Sequence, residues 1–213
     1  MATYNKGILG AFTGTVGSVV GANWRGLNVM RSRPKKTNRT PTEVQLLQRE
    51  KFGFVTGFLT PIRYVYNKYF GQNVGVKSRY NMAVSYHIKD AIELTGETYE
   101  MIYNKVLISK GELQGVQDGT IAAEAGLKIK LTWLDNSGQG LALADDSLLA
   151  VIYSPDLNEF QVFEYGAVRS DGEATLTAMA YFADMPVQCW VSFVNDNRKV
   201  AASSSYLGEI TLL

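Results

Sequence analysis

The stretch from Lys6 to Lys36, KGILGAFTGTVGSVVGANWRGLNVMRSRPKK, constrains the fold more than any other part of the chain. It places glycines at 7, 10, 14, 17, 21 and 26 and carries no charge between Lys6 and Arg25. A backbone this rich in glycine loses much entropy on ordering and offers few side chains to hold it. Another surface has to pin it, and the sequence points to a second copy of the chain or to another protein.

Three arrangements compete for this stretch. Gly7, Gly10, Gly14, Gly17 and Gly21 would share one helix face, as in small-xxx-small membrane packing. The uncharged run barely reaches the length of a span, however, and includes Thr13, Thr15, Ser18 and Asn23. In a soluble helix each glycine would cost about 1 kcal/mol. A phosphate-binding loop is the second arrangement, but no Gly-Lys-Ser/Thr follows the glycines. The third is an extended arm leading into a β-hairpin, with residues 19–24 and 27–32 flanking an Arg25-Gly26 turn and Pro34 ending the pairing. Length and turn chemistry favour arm plus hairpin. Gly10, Gly14, Gly17, Gly21, Trp24 and Gly26 are then its candidate interaction residues.

A basic patch follows at once: Arg25, Arg31, Arg33, Lys35, Lys36 and Arg39. The net charge of +1 hides a division. Residues 1–80 hold thirteen Lys/Arg against Glu43 and Glu50, and residues 81–213 hold eight against eighteen Asp/Glu. A basic end of +11 therefore faces an acidic end of −10. The partner of the patch is either nucleic-acid phosphate or the acidic surface of a neighbouring copy. The near-equal acidic half on the same chain favours the neighbour.

Hydrophobic content of 46% and charged content of 19% describe a soluble globular chain. Its one cysteine, Cys189, cannot form an internal disulfide and reads as a buried core thiol. The glycines make a poor signal-peptide core, so a chain made in the cytoplasm is expected.

Three segments follow from composition: an arm and hairpin at 1–39, a helical segment at 40–93 and a β-sandwich at 94–213. Thr40-Pro41-Thr42-Glu43 opens the first helix, with Thr40 as cap and Val44, Leu47, Phe54, Val55 and Phe58 towards the core. After Pro61, Ile62, Val65, Tyr66 and Tyr69 repeat at helical spacing. Ser78 caps a further helix carrying Val84, Ile88, Ala91 and Ile92. From Tyr99 the period becomes alternating, with strands expected at 99–109, 125–134, 148–153, 159–165, 173–179, 187–194 and 200–212. Asp118-Gly119, Asn136-Ser137-Gly138, Ser154-Pro155-Asp156, Asp171-Gly172 and Asn195-Asp196-Asn197 supply the turns. Seven such strands describe an α+β, mainly β chain ending in an immunoglobulin- or fibronectin-like sandwich, with Trp133 and Trp190 in its core.

No cluster reads as a catalytic centre, and neither cofactor nor metal is expected. His87 lies on a helix without a nearby acid–thiol or acid–serine constellation. Asp145, Asp146, Asp156 and Glu159 lack the ligand spacing of a calcium loop, and one cysteine with one histidine cannot make a structural zinc site. Ser203-Ser204-Ser205 reads as a strand-end tract.

Gly7-Ile8-Leu9-Gly10, Gly14, Val16-Gly17, Val19-Val20-Gly21, Trp24-Arg25-Gly26, Arg31-Ser32 and Pro34 together resemble the start of the domain-of-unknown-function family numbered 6266, common in Bacteroidota. The resemblance continues through Thr42-Glu43, Gln45, Gln48-Arg49 and Lys51-Phe52, then residues 132–138 (TWLDNSG), 151–155 (VIYSP), 169–176 (RSDGEATL) and 205–208 (SYLG). It covers nearly the whole chain and implies no assigned activity and no known catalytic residues. Through tailed phages of those bacteria it implies a virion component assembled in the host cytoplasm, a homo-oligomer with other virion proteins as partners. Nucleic-acid binding through the basic patch and glycan binding by the sandwich are the alternatives.

Overall fold

The computed structural model describes residues 2–4, 10–24, 26–35, 40–72, 75, 77–96, 98–195 and 200–213. Two compact units divide the chain, Met1–Leu46 and Leu47–Leu213.

In the first unit, β1 (Thr3–Tyr4), β2 (Phe12–Val16), β3 (Val19–Trp24) and β4 (Leu27–Ser32) form an antiparallel sheet in that order. Strands, not a helix, therefore occupy the glycine stretch. The expected hairpin has the expected bounds, with Trp24 opposite Leu27 and Val19 opposite Ser32. The helix cap sits two residues later than expected. Thr42 Oγ1 accepts from Gln45 N and Gln45 Oε1 accepts from Thr42 N, a reciprocal box ahead of α1 (Glu43–Leu59).

The second unit continues through α2 (Arg63–Tyr69) and α3 (Arg79–Asp90), the latter capped by Ser78 Oγ accepting from Asn81 N. A short hairpin follows, β5 (Ile92–Thr95) with β6 (Thr98–Met101). Seven strands then build the sandwich: β7 (Gln117–Glu124), β8 (Lys128–Leu134), β9 (Ser147–Ser154), β10 (Glu159–Val168), β11 (Glu173–Thr177), β12 (Pro186–Val194) and β13 (Ser205–Thr211). One sheet runs β11-β8-β7 and the other β10-β9-β12-β13. Counted along these seven, the first, second and fifth face the third, fourth, sixth and seventh, an immunoglobulin- or fibronectin-type division.

The first sandwich strand is β7, not the segment 99–109. That segment instead holds β6, a 3-10 turn at Tyr103–Lys105 and an irregular run. The strand was hidden because Asp118-Gly119 imitates a hairpin turn. It is a bulge within β7, with Asp118 at φ 49° and Gly119 set so that a Cβ would lie 2.8 Å from Val116 and 2.9 Å from Leu207.

In the sandwich's four-stranded sheet the central strands β9 and β12 are buried on both faces. Leu148, Ala150 and Ile152 with Val187, Cys189, Val191 and Phe193 point to the sister sheet, where Ile129, Leu131, Trp133 and Leu176 meet them. Leu149, Val151, Tyr153 and Trp190 point the other way, into a core with Val55, Phe58, Leu59, Val65, Tyr66 and Val84 from the helices. That double burial is why LLAVIY and VQCWVSFV are nearly continuous apolar runs rather than alternating ones. The first turns of α1 depart from expectation, since Val44 and Leu47 are exposed and burial begins at Val55.

His87 is fully buried in the helical core, with Nδ1 2.8 Å from Ala83 O and Nε2 accepting from Leu107 N at 3.3 Å. Tyr66, Phe70 and Tyr86 surround its ring. Burial lowers its pKa from 6.5 to about 4, against a smaller opposing effect of the Ala83 carbonyl and Asp90. Protonation thus favours the unfolded chain. The stability tied to neutral His87 is complete above pH 6.5, falls as pH drops, and is gone below about pH 4. The expected span is about 3 kcal/mol. Urea midpoints at pH 7.5 and pH 4.5 should differ more for the wild type than for His87→Leu, and equal differences would contradict the account.

Candidate functional site

The N-terminal sheet gathers most of the residues that sequence singled out. Gly17 at φ 56° lies in the turn joining β2 to β3, and Gly26 at φ 85° lies in the turn joining β3 to β4, where its N–H donates to Asn23 Oδ1 at 3.0 Å. Gly14, at φ 111°, pairs with Gly21 across β2 and β3. Gly21 has the most specific role: a Cβ there would lie 2.3 Å from Phe12 O and 2.7 Å from the Phe12 ring. Only glycine lets β3 pass beneath Phe12. Gly10 forms a half-buried bend before β2.

Cross-strand register sorts the remaining side chains. Trp24 with Leu27, Ala22 with Val29 and Val20 with Arg31 share one face. The opposite face carries Asn23 bonded to Asn28 at 3.0 Å, together with Met30 and Ser32. All six residues of β4 are exposed. Trp24 is 49% exposed, Leu27 55% and Met30 73%. Arg31, Arg33 and Lys35 are exposed along the same edge of the chain. Arg25, Lys36 and Arg39, the rest of the expected basic patch, lie outside the described residues. Leu27, Val29 and Met30 belong to the surface as much as Trp24 does. The alternation within LNVMRS was the signal that would have found them.

Several buried polar groups of the second unit are committed to structure, while Tyr66 OH, Asp146 Oδ1 and Ser154 Oγ are buried without a partner among the described residues. Ser204 Oγ accepts from Ile108 N at 2.8 Å, and Ser109 Oγ bonds Ser192 Oγ at 2.7 Å. Burial pushes the Cys189 thiol up to about 12, so it is no nucleophile at neutral pH. Asp146 is fully buried and paired with Arg169, whose Nη2 lies 3.0 Å and Nε 3.1 Å from its Oδ2. Arg169 also donates to Asn136 Oδ1 and to Gln114 O at 2.9 Å, and stacks 4.0 Å over Phe193. No helix among the described residues is long and apolar enough to cross a membrane.

Sheet division and register thus define an α+β chain ending in a fibronectin-type sandwich, with an exposed β-sheet before it. The chain belongs to the family described as "Family of unknown function (DUF6266)", which matches residues 11–208. No curated protein sequence matches it. Solved structures similar to part of it include the fibronectin type III domain of human contactin 1, at 10% identity, TM-score 0.37, covering 49% of this chain and 81% of that one. The fibronectin type III domain of the human collagen alpha-1(XX) chain matches at 13% identity and TM-score 0.36, covering 49% and 89%. The FN5 domain of Drosophila Lar matches at 12% identity and TM-score 0.34, covering 48% and 96%.

Proposed function

We propose that the chain is a non-enzymatic assembly subunit that docks on its neighbours through the N-terminal sheet. The supporting observation is β4, exposed at all six positions and carrying Leu27, Val29 and Met30. A thin sheet with apolar residues open to water gains little from its own burial and much from a partner's. The family resemblance suggests the setting, a phage virion part such as a neck, tail or capsid-associated ring. Peptides of this chain in gradient-purified particles would support that setting, and their absence would remove it.

Deleting residues 1–38 is expected to leave a folded, soluble protein that no longer associates, as read by circular dichroism and analytical ultracentrifugation. Gly21→Ala is the point version, since the added Cβ meets the Phe12 carbonyl. It should cut association without moving the melting temperature of the second unit. Normal assembly after the deletion would refute docking through the sheet.

The exposed Arg31, Arg33 and Lys35 support a second reading, phosphate binding. Changing Arg31, Arg33, Lys35 and Lys36 to Gln would then flatten the log–log salt slope of DNA binding. Under the assembly reading the same change weakens self-association, and DNA binding is slight from the start.

A further inference from the structure

A groove of about 660 Å³ runs between α1 and the β5–β6 hairpin, lined by Gly53, Phe54, Gly57, Phe58, Tyr99 and Tyr153 among others. Its walls are aromatic: Phe58 meets Tyr153 edge-on at 5.0 Å, and Phe54 lies 6.3 Å from Tyr99. Gly53 and Gly57 stand one helical turn apart, and a Cβ added to either would touch nothing within 4 Å. Both lower helix stability relative to alanine, and no neighbour among the described residues needs the missing Cβ. At the hairpin beside the groove, Glu93 sits directly opposite Glu100 on the face turned away from Leu94 and Tyr99; Glu100 also lines the groove and accepts from Thr95 Oγ1 at 3.2 Å. Like charges opposed across a two-stranded hairpin repel, so this edge gains from an incoming cation. Leu94, 54% exposed and paired with Tyr99, continues the apolar surface.

We propose that this groove is the acceptor for the N-terminal sheet of a second copy of the chain. The proposal rests on the assembly reading above and names the partner surface. Charge identifies the occupant. Residues 1–46 carry seven Lys/Arg against Glu43, a charge of +6, and residues 47–213 carry fourteen against nineteen acids, a charge of −5. The donor face matches the acceptor in kind: Trp24, Leu27 and Val29 form an apolar strip that runs into Arg31. Trp24, Leu27 and Val29 suit the aromatic walls, and Arg31 and Arg33 suit Glu93 and Glu100. Two N-terminal sheets placed face to face would bring like charges together, so the contact joins unlike surfaces. Such a head-to-tail contact builds rings or filaments rather than closed two-fold dimers.

The test uses full-length protein in sedimentation velocity and native mass spectrometry. The donor variant is Leu27→Glu/Arg31→Glu. One acceptor variant, Gly53→Leu/Gly57→Leu, fills the groove at positions with free space, and another, Glu93→Lys/Glu100→Lys, leaves it open and reverses its charge. Circular dichroism and melting curves confirm folding, and the charge variant carries the test if the leucine variant misfolds. The wild type should associate, each variant should bind itself about 100-fold or more weakly, and donor mixed with acceptor variant should stop at a 1:1 heterodimer. A monomeric donor variant beside fully associating acceptor variants would overturn the groove and leave sheet docking standing. Wild-type association by both kinds of variant would overturn the groove and sheet docking together. A wild type that stays monomeric at high concentration would overturn the second copy as occupant.

Discussion

Replacing Arg169 by methionine is expected to cost about 3–5 kcal/mol of folding stability, the penalty for leaving one partner of a buried ion pair uncompensated. That is a large share of what a domain of ordinary stability has to lose. Both side chains of the pair are fully excluded from water, and Arg169 alone links Asp146, Asn136 and the Gln114 carbonyl. Its main-chain carbonyl also accepts from Trp133 Nε1 at 2.8 Å, so the knot ties β8 to the segment after β10. Arg169→Met/Asp146→Leu should recover a good part of the loss, because apolar isosteres remove the stranded charge as well. Urea unfolding of the wild type and both variants measures this. A single-variant loss below about 1 kcal/mol would show that Asp146 does not depend on Arg169.

Isolated residues 94–213 should fail to fold, or should aggregate, whereas residues 47–213 should give a well-dispersed amide spectrum. The strand pattern alone suggests that the sandwich carries a complete core of its own. The core does not stop at residue 94, however: Leu149, Val151, Tyr153 and Trp190 leave the sandwich's four-stranded sheet on its outer face and share one core with side chains of α1, α2 and α3, as well as with Val106 and Ile108. Uncovering that face forfeits at most on the order of 6–12 kcal/mol, taking about 1.5–3 kcal/mol for each of the four side chains. That matches the whole stability of a typical domain. Tyr153 would also lose its edge-on contact with Phe58, whose ring centroid lies 5.0 Å away. A dispersed spectrum from 94–213 would show that the sandwich tolerates a bare outer face.

The segments that carry the family resemblance acquire a physical meaning in the fold. Residues 132–138 and 169–176 lie far apart in sequence, yet they meet around Arg169. Trp133 N donates to Gly172 O at 2.9 Å, Trp133 Nε1 to Arg169 O, and Arg169 to Asn136. They hold the end of the sandwich closed. The surface proposed to take a partner lies elsewhere, on β4 and its neighbours.

What the sequence determined by itself was local. Gly26 after Arg25, flanked by alternating residues, located β3 and β4, and Ser78 before a 3.6-residue apolar period located α3, because turns and caps are set by neighbours a few residues away. What only the tertiary structure decided was everything that depends on residues meeting from far along the chain. Asp118-Gly119 has turn chemistry, and packing against Leu207 makes it a bulge in a strand. Asp146 looks like a solvated loop acid until Arg169, twenty-three residues on, arrives beside it. Gly21 is required because Phe12 folds across it, whereas Gly53 and Gly57 meet nothing among the described residues that requires them. Periodicity reports which side of an element is apolar, but only the assembled layers reveal which apolar side is already covered and which is still open to a partner.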